Sequence, residues 1–88
     1  MQPVWILFYE SNITVDIDNI SWLIENGGEI SIGKIGPIQC GAVACDEDSQ
    51  LAALVKRDNE NLFDLLQRLD KAIVQAWDDE VFIDEINE

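Results

Sequence analysis

Residues 58–77 carry the strongest periodic pattern in the chain. Apolar side chains recur there at the 3.6-residue spacing of a helix that buries one face. Asp58 or Asn59 is a suitable N-cap, and Glu60 then falls in the first turn, where negative charge is favourable. The segment therefore predicts one long amphipathic helix over about residues 60–77. Its stripe consists of Leu62, Leu65, Leu66, Leu69, Ala72, Ile73 and Ala76.

Short apolar runs separated by turn residues fill most of the remaining sequence. The continuous apolar run Val4–Tyr9 is typical of a buried central strand, and the other runs are bounded by Gly, Pro or acidic residues. Together with the helix they predict one domain over residues 1–88, of the α+β class. We expect a mostly antiparallel sheet of four or five strands with the long helix on one face. The other strands are predicted at Ile30–Ile35, Ile38–Cys45, Leu51–Val55 and Val81–Ile83.

Residues 13–26 fit two structures, a strand or a strand-like start followed by a helix. Ile20, Leu23 and Ile24 have the spacing of a short helix that Asp18 could cap and Gly27 could stop. Alternate residues over the same stretch are also apolar, which fits a strand that turns at 26–28 into the next one. The pattern favours a second short helix over about residues 18–26, with the hairpin as the alternative.

The charge balance excludes several classes of function. The 88 residues include 18 Asp and Glu but only 5 Lys and Arg and no His, which gives a net charge of −13. Nucleic-acid binding through phosphate contacts requires many Lys and Arg side chains, and an anionic membrane would repel this chain. We therefore expect no direct nucleic-acid or membrane partner, and a cytoplasmic location in which Cys40 and Cys45 are free thiols.

No motif predicts a catalytic centre, a metal site or a cofactor. Gly28–Lys34 has the spacing of a phosphate-binding loop, but Ile35 stands where that loop needs Ser or Thr, and Gly36 and Pro37 prevent a following helix. The acidic run Asp46–Asp48 does not match a calcium-binding loop. The expectation is a protein that is not an enzyme.

Two groups of residues are candidates for contacts with other molecules. The first extends the apolar face of the long helix beyond the width needed to cover a sheet, and aromatic side chains are enriched at interfaces. The second is acidic and lies near the C-terminal end of the helix, where a cation is preferred. The interface candidates are Phe63, Asp70, Val74 and Trp77, and the acidic candidates are Asp78, Asp79, Glu80, Asp84 and Glu85.

The stretches Leu51–Arg57, Leu65–Ile73 and Phe82–Asn87 resemble the C-terminal half of small uncharacterised bacterial proteins of mobile elements, of the gene-cassette or phage type. The resemblance covers about forty residues. It implies a bacterial, cytosolic origin, and it implies no site residue.

These observations predict a non-enzymatic interaction protein. The expected partners are a second copy of the chain and a basic protein, and the acidic excess fits an inhibitor or an antitoxin-like protein that covers a basic surface. The alternative is a domain that binds a small ligand or a metal ion.

Overall fold

Two helices pack against the same side of a four-stranded sheet in the computed structural model, which describes residues 17–87. The strand predicted at Val4–Tyr9 lies outside the described residues. The elements in chain order are α1 (Asp18–Glu25), β1 (Glu29–Ile35), β2 (Ile38–Cys45), β3 (Gln50–Val55), α2 (Leu62–Asp79) and β4 (Ile83–Asp84).

The sheet is mixed, with the strand order β1-β2-β3-β4. The first two pairs are antiparallel, as predicted, and both are hairpins. β4 instead runs parallel to β3, with Ala52 opposite Ile83, because the chain crosses back along α2 before it returns to the sheet. The α+β class is thus confirmed, but the parallel edge was not predicted. The last strand also begins later than expected, since Val81 and Phe82 are exposed and precede it.

Small side chains on the central strands let α2 lie close to the sheet. Ala42, Ala44 and Ala52 are almost fully buried, and they pack in one cluster with the helix stripe from Leu65 onward, whereas the predicted stripe residue Leu62 is 48% exposed. A helix on a sheet brings its own large side chains to the contact, so alanines opposite them leave the necessary space. The fully buried side chains of α2 are Leu65, Leu69 and Ile73.

The long helix begins later than the sequence predicted. Asn61 is its N-cap, because the Asn61 side chain accepts a hydrogen bond of 2.8 Å from the backbone N–H of Asp64. The Asp64 carboxylate accepts in return from the backbone N–H of Asn61 at 3.2 Å, which completes a capping box. The predicted caps Asp58 and Asn59 were therefore wrong. At the other end the helix stops at Glu80, which has the left-handed backbone conformation with φ of 56°.

Residues 18–25 form the predicted short helix, but its cap comes from the other helix. The N-cap position is Ile17, which has no side-chain acceptor. The carboxylate of Asp70, on α2, accepts a hydrogen bond of 2.9 Å from the backbone N–H of Ile20 and one of 2.8 Å from Asn19 Nδ2. Asp70 thereby satisfies a helix-end donor that α1 cannot satisfy itself, and it fixes α1 against α2. Gly27, with φ of 93°, then ends the turn after α1.

A second buried group joins the C-terminal residues to α2. The Arg68 guanidinium makes two hydrogen bonds to Glu60, of 2.6 and 3.0 Å, and one of 3.0 Å to Glu85. It also donates to the carbonyl of Val55 at 2.9 Å, and the other Glu85 oxygen accepts from the Val55 N–H. Glu60 is thus a partner of Arg68 and not a residue of the helix. Since Arg68 and the N–H of Arg57 bind its carboxylate, the pKa of Glu60 falls to about 2 despite its burial.

We predict that Asp70→Ala destabilises the fold by about 2 kcal/mol, because it leaves the Ile20 N–H without its partner in the protein interior. Urea unfolding measures the change. Asp79→Ala is the matched control, since Asp79 is an exposed aspartate in the last turn of the same helix. Its removal should leave stability unchanged or raise it by a few tenths of a kcal/mol. Equal losses in the two variants would contradict the capping role of Asp70.

We further predict that Glu60→Gln lowers the free energy of unfolding by about 3 kcal/mol at pH 7. The pKa of Glu60 is depressed in the folded state, so its contribution is complete above pH 4.5 and is lost as the pH falls toward 2. The stability difference between wild type and variant should therefore shrink as unfolding is measured at pH 7, 4 and 3. The exposed Glu25→Gln serves as control, and a difference that stays constant over this range would exclude the proposed ion pair.

Candidate functional site

Two tryptophans form an exposed pair where α1 meets α2. The ring centroids of Trp22 and Trp77 lie 5.2 Å apart, and the ring planes meet at 76° in an edge-to-face contact. Ile20 and Leu23 point into the core, so Trp22 projects from the outer side of α1. Trp22 remains 55% exposed and Trp77 37% exposed. A pair of large aromatic rings is thus held in a defined geometry at the surface.

Acidic side chains lie on both sides of this pair. A groove of about 490 Å³ opens between the two helices, and the described residues in its walls are Asp18, Asn19, Trp22 and Trp77. A second groove of about 280 Å³ lies on the other side of the rings, beside the turn between β2 and β3. The second groove is lined by Trp22, Leu23, Asn26, Asp46, Glu47, Asp48 and Trp77.

The acidic turn beside the second groove has a fixed shape. The Asp46 carboxylate accepts hydrogen bonds from the backbone N–H groups of Asp48 and Ser49, at 2.8 and 2.7 Å. These bonds, with a further one from the Ser49 hydroxyl, hold the pKa of Asp46 below its usual range. Asp46 therefore keeps its negative charge next to the tryptophans even in mildly acidic solution.

Basic side chains are concentrated elsewhere. Three of the five Lys and Arg residues, Arg57, Arg68 and Lys71, line a separate groove of about 280 Å³ between α2 and the C-terminal residues. Within the described part of the chain, the walls of the two tryptophan grooves include no Lys or Arg. Of these side chains, Arg68 pairs with Glu60 and Glu85, and the exposed Arg57 lies 3.8 Å from Glu85, so this positive charge is held away from the tryptophan surface.

The structure separates the four predicted interface residues. Trp77 and the half-buried Val74 are neighbours on α2, but Phe63 is fourteen residues from Trp77, about 21 Å along the helix axis. Asp70 is only 3% exposed, and its carboxylate caps α1. The prediction that Asp70 belongs to a surface patch was therefore wrong, because a buried capping side chain is not available to a partner.

The predicted acidic residues also fall into two groups. Asp78, Asp79 and Glu80 are exposed at the end of α2, in a last turn without a basic residue. Asp84 instead accepts hydrogen bonds from Asn87 and from the backbone N–H of Ile86, which lowers its pKa.

Glu85 is bonded to Arg68 and to Val55. Asp84 and Glu85 thus stabilise the C-terminal turn and the β3–β4 contact. Their contact with a basic partner stays a prediction, and in this structure both already have partners within the chain.

Sequence reasoning missed Trp22 and the acidic turn as parts of one surface. Trp22 does not belong to the Ile20–Leu23 stripe that α1 buries, so a helical reading of the segment places it on the outer face. That signal was present in the sequence. The sequence carried no signal for the approach of the 46–48 turn to α1. This approach depends on the tertiary packing of Gly28 against Leu23 and the Cys45 carbonyl, where a side chain at position 28 would clash.

The two thiols, Cys40 and Cys45, are free and half-buried. Burial, together with the neighbouring Glu29 and Asp46 carboxylates, raises the pKa of Cys45. This is the opposite of the change that activates a cysteine nucleophile, whose pKa is lowered by cationic neighbours.

Among residues 17–87, no three His, Cys, Asp or Glu side chains converge on a position that could hold a metal ion. Neither of the two helices described has the length and apolar character required to cross a bilayer.

No protein-family model matches the chain, and searches among curated proteins and among solved structures found no significant similarity. The resemblance to small bacterial proteins of mobile elements therefore stays a prediction. The features of the molecule that bear on function are the tryptophan pair, its acidic surroundings and the distribution of charge.

Proposed function

We propose that this chain is a non-enzymatic, cytosolic interaction protein that contacts a basic protein. The observation that carries the proposal is an exposed tryptophan pair with carboxylates on both sides and, among the described residues of its grooves, no Lys or Arg. Exposed aromatic side chains supply contact area at low entropic cost, and surrounding charge of one sign selects a partner of the other.

The acidic end of α2 supports the same proposal. Asp78 and Asp79 follow Trp77 directly and lie at the negative end of the helix macrodipole, where each exposed carboxylate costs about 0.3–1 kcal/mol. Charges that oppose local stability are favourable once a cationic surface faces them. They also accelerate the encounter with a basic partner through long-range attraction.

An inhibitor or antitoxin-like protein is the sharper form of this proposal. Proteins that bind nucleic acids carry basic surfaces that recognise rows of phosphates. A compact acidic domain can occupy such a surface with carboxylates and exclude the nucleic acid by competition. The net charge of −13 on 88 residues is consistent with that mode of action.

A second copy of the chain is the other proposed partner. Leu62 and Phe63 are both about half exposed at the beginning of α2, at the opposite end of the helix from Asp78 and Asp79. A contact through these two side chains would bury apolar surface while it keeps the acidic helix ends apart. The tryptophan surface is less suited to self-association because of its own negative charge.

The alternative function, a site for a small ligand or a metal ion, stays a prediction. Such a site would bring several polar side chains together in a concave pocket. Among the described residues, the walls of the larger tryptophan groove contribute only Asp18 and Asn19 as polar side chains. We therefore favour the interaction hypothesis.

Neutralising the end of α2 tests the electrostatic part of the proposal. We predict that Asp78→Asn, Asp79→Asn and Glu80→Gln together raise thermal stability slightly, because three unfavourable charges leave the helix end. The same variant should associate more slowly with a basic protein, and the difference should shrink as salt is raised. Stopped-flow kinetics at low and high ionic strength, with lysine-rich histone as the probe, measures the association rate and its dependence on salt. An unchanged association rate at low salt would show that these residues serve only solubility.

Self-association is tested by sedimentation equilibrium at micromolar concentration and 100 mM salt. We expect a dimer for the wild type and a monomer for Phe63→Ser, since a polar side chain replaces an exposed ring at the apolar contact. Phe82→Ser is the matched control, because Phe82 is exposed to a similar extent but lies after α2. A wild-type protein that sediments only as a monomer would rule out the dimer.

A further inference from the structure

We propose that the groove between Trp22 and Trp77 binds an arginine side chain of the basic partner, an inference that rests on the proposed function and specifies its site. The guanidinium would lie against an indole ring while carboxylates on either side compensate its charge. Phe63 and Phe82 are exposed at other places on the surface. Among residues 17–87, the described walls of the two tryptophan grooves bring exposed rings and acidic side chains together.

The ring geometry leaves room for a cation. In an edge-to-face pair, one ring presents its edge to the face of the other, so the faces of the edge-on ring are not covered by its partner. Both rings line the 490 Å³ groove, a volume within the range of about 300–1,000 Å³ that is usual for ligand-binding clefts. Indole is the aromatic group that attracts cations most strongly through its face.

The electrostatics of the groove favours a cationic side chain over other occupants. Asp18 lies on one side of the rings and the acidic turn Asp46–Asp48 on the other, and none of the described residues that line the two grooves is Lys or Arg. A phosphate, an acidic peptide or a second copy of this chain would bring more negative charge to a surface that is already negative.

The groove chemistry favours arginine over lysine. The guanidinium is planar and weakly hydrated, so it can stack on an indole face and still donate hydrogen bonds to carboxylates at its edge. The lysine ammonium is a compact and strongly hydrated charge that gains less from an aromatic surface. A site that used charge alone would not distinguish the two side chains.

The test compares three peptides of equal length, in which four Arg, four Lys or four Glu residues alternate with Gly, by isothermal titration calorimetry at low salt. For the wild type we expect the Arg peptide to bind about five-fold more tightly than the Lys peptide. In Trp22→Leu this preference should disappear, whereas the control Phe63→Leu should retain it. Trp22→Phe, which keeps a smaller ring, should show an intermediate preference for the Arg peptide. If leucine at position 22 disrupts α1, this variant still allows the Arg and Lys peptides to be compared.

The outcomes separate the site from the general function. Equal binding of the Arg and Lys peptides, or a preference that survives in Trp22→Leu, would overturn the arginine site. In that case, the variant with Asp46→Asn, Glu47→Gln and Asp48→Asn could still bind both basic peptides more weakly than the wild type does. The proposed function would then stand without the arginine site. Binding of the basic peptides no tighter than that of the Glu peptide would overturn both proposals.

Discussion

The buried carboxylate of Asp70 determines how the rest of the surface is arranged. It caps α1 from the neighbouring helix, because the residue at the cap position is Ile17 and offers no acceptor. The position of α1 on α2 then brings Trp22 against Trp77 and aligns the grooves on either side of the rings. One hydrogen-bonded side chain in the core thus links folding to the surface that we propose to be functional.

One of the five positive charges, Arg68, stabilises the fold by pairing with two carboxylates, and the excess of negative charge lies at the surface. Arg68 joins Glu60 and Glu85, and thereby ties the loop before α2 and the C-terminal residues to one helix. Because these two carboxylates are neutralised inside the structure, they contribute little to the external field. The field comes from groups such as the Asp46–Asp48 turn and the end of α2, which lie beside exposed tryptophans.

The sequence predicted those features that depend on local periodicity. The long helix, the two hairpins and the short helix α1 follow from spacing and turn residues. Side-chain contacts do not follow from spacing. Asp64 and Arg68 have i,i+4 spacing, yet Asp64 caps α2 and Arg68 binds Glu60 and Glu85. In the sequence, Asp70 lies among the apolar residues of a helix face. Its role as the buried cap of α1 depends on how α1 packs against α2. Of the tryptophan pair, the sequence analysis predicted Trp77 as an interface residue. It did not predict Trp22, because the position of α1 depends on tertiary contacts.

The most direct test of this account maps the contact surface by NMR. In ¹⁵N-labelled protein titrated with the Arg peptide, we expect the indole N–H signals of Trp22 and Trp77 to shift together with the backbone signals of α1 and of residues 46–48. Shifts confined to residues 78–80, or spread over the surface without the two indole signals, would contradict the claim that the tryptophan pair recognises the partner.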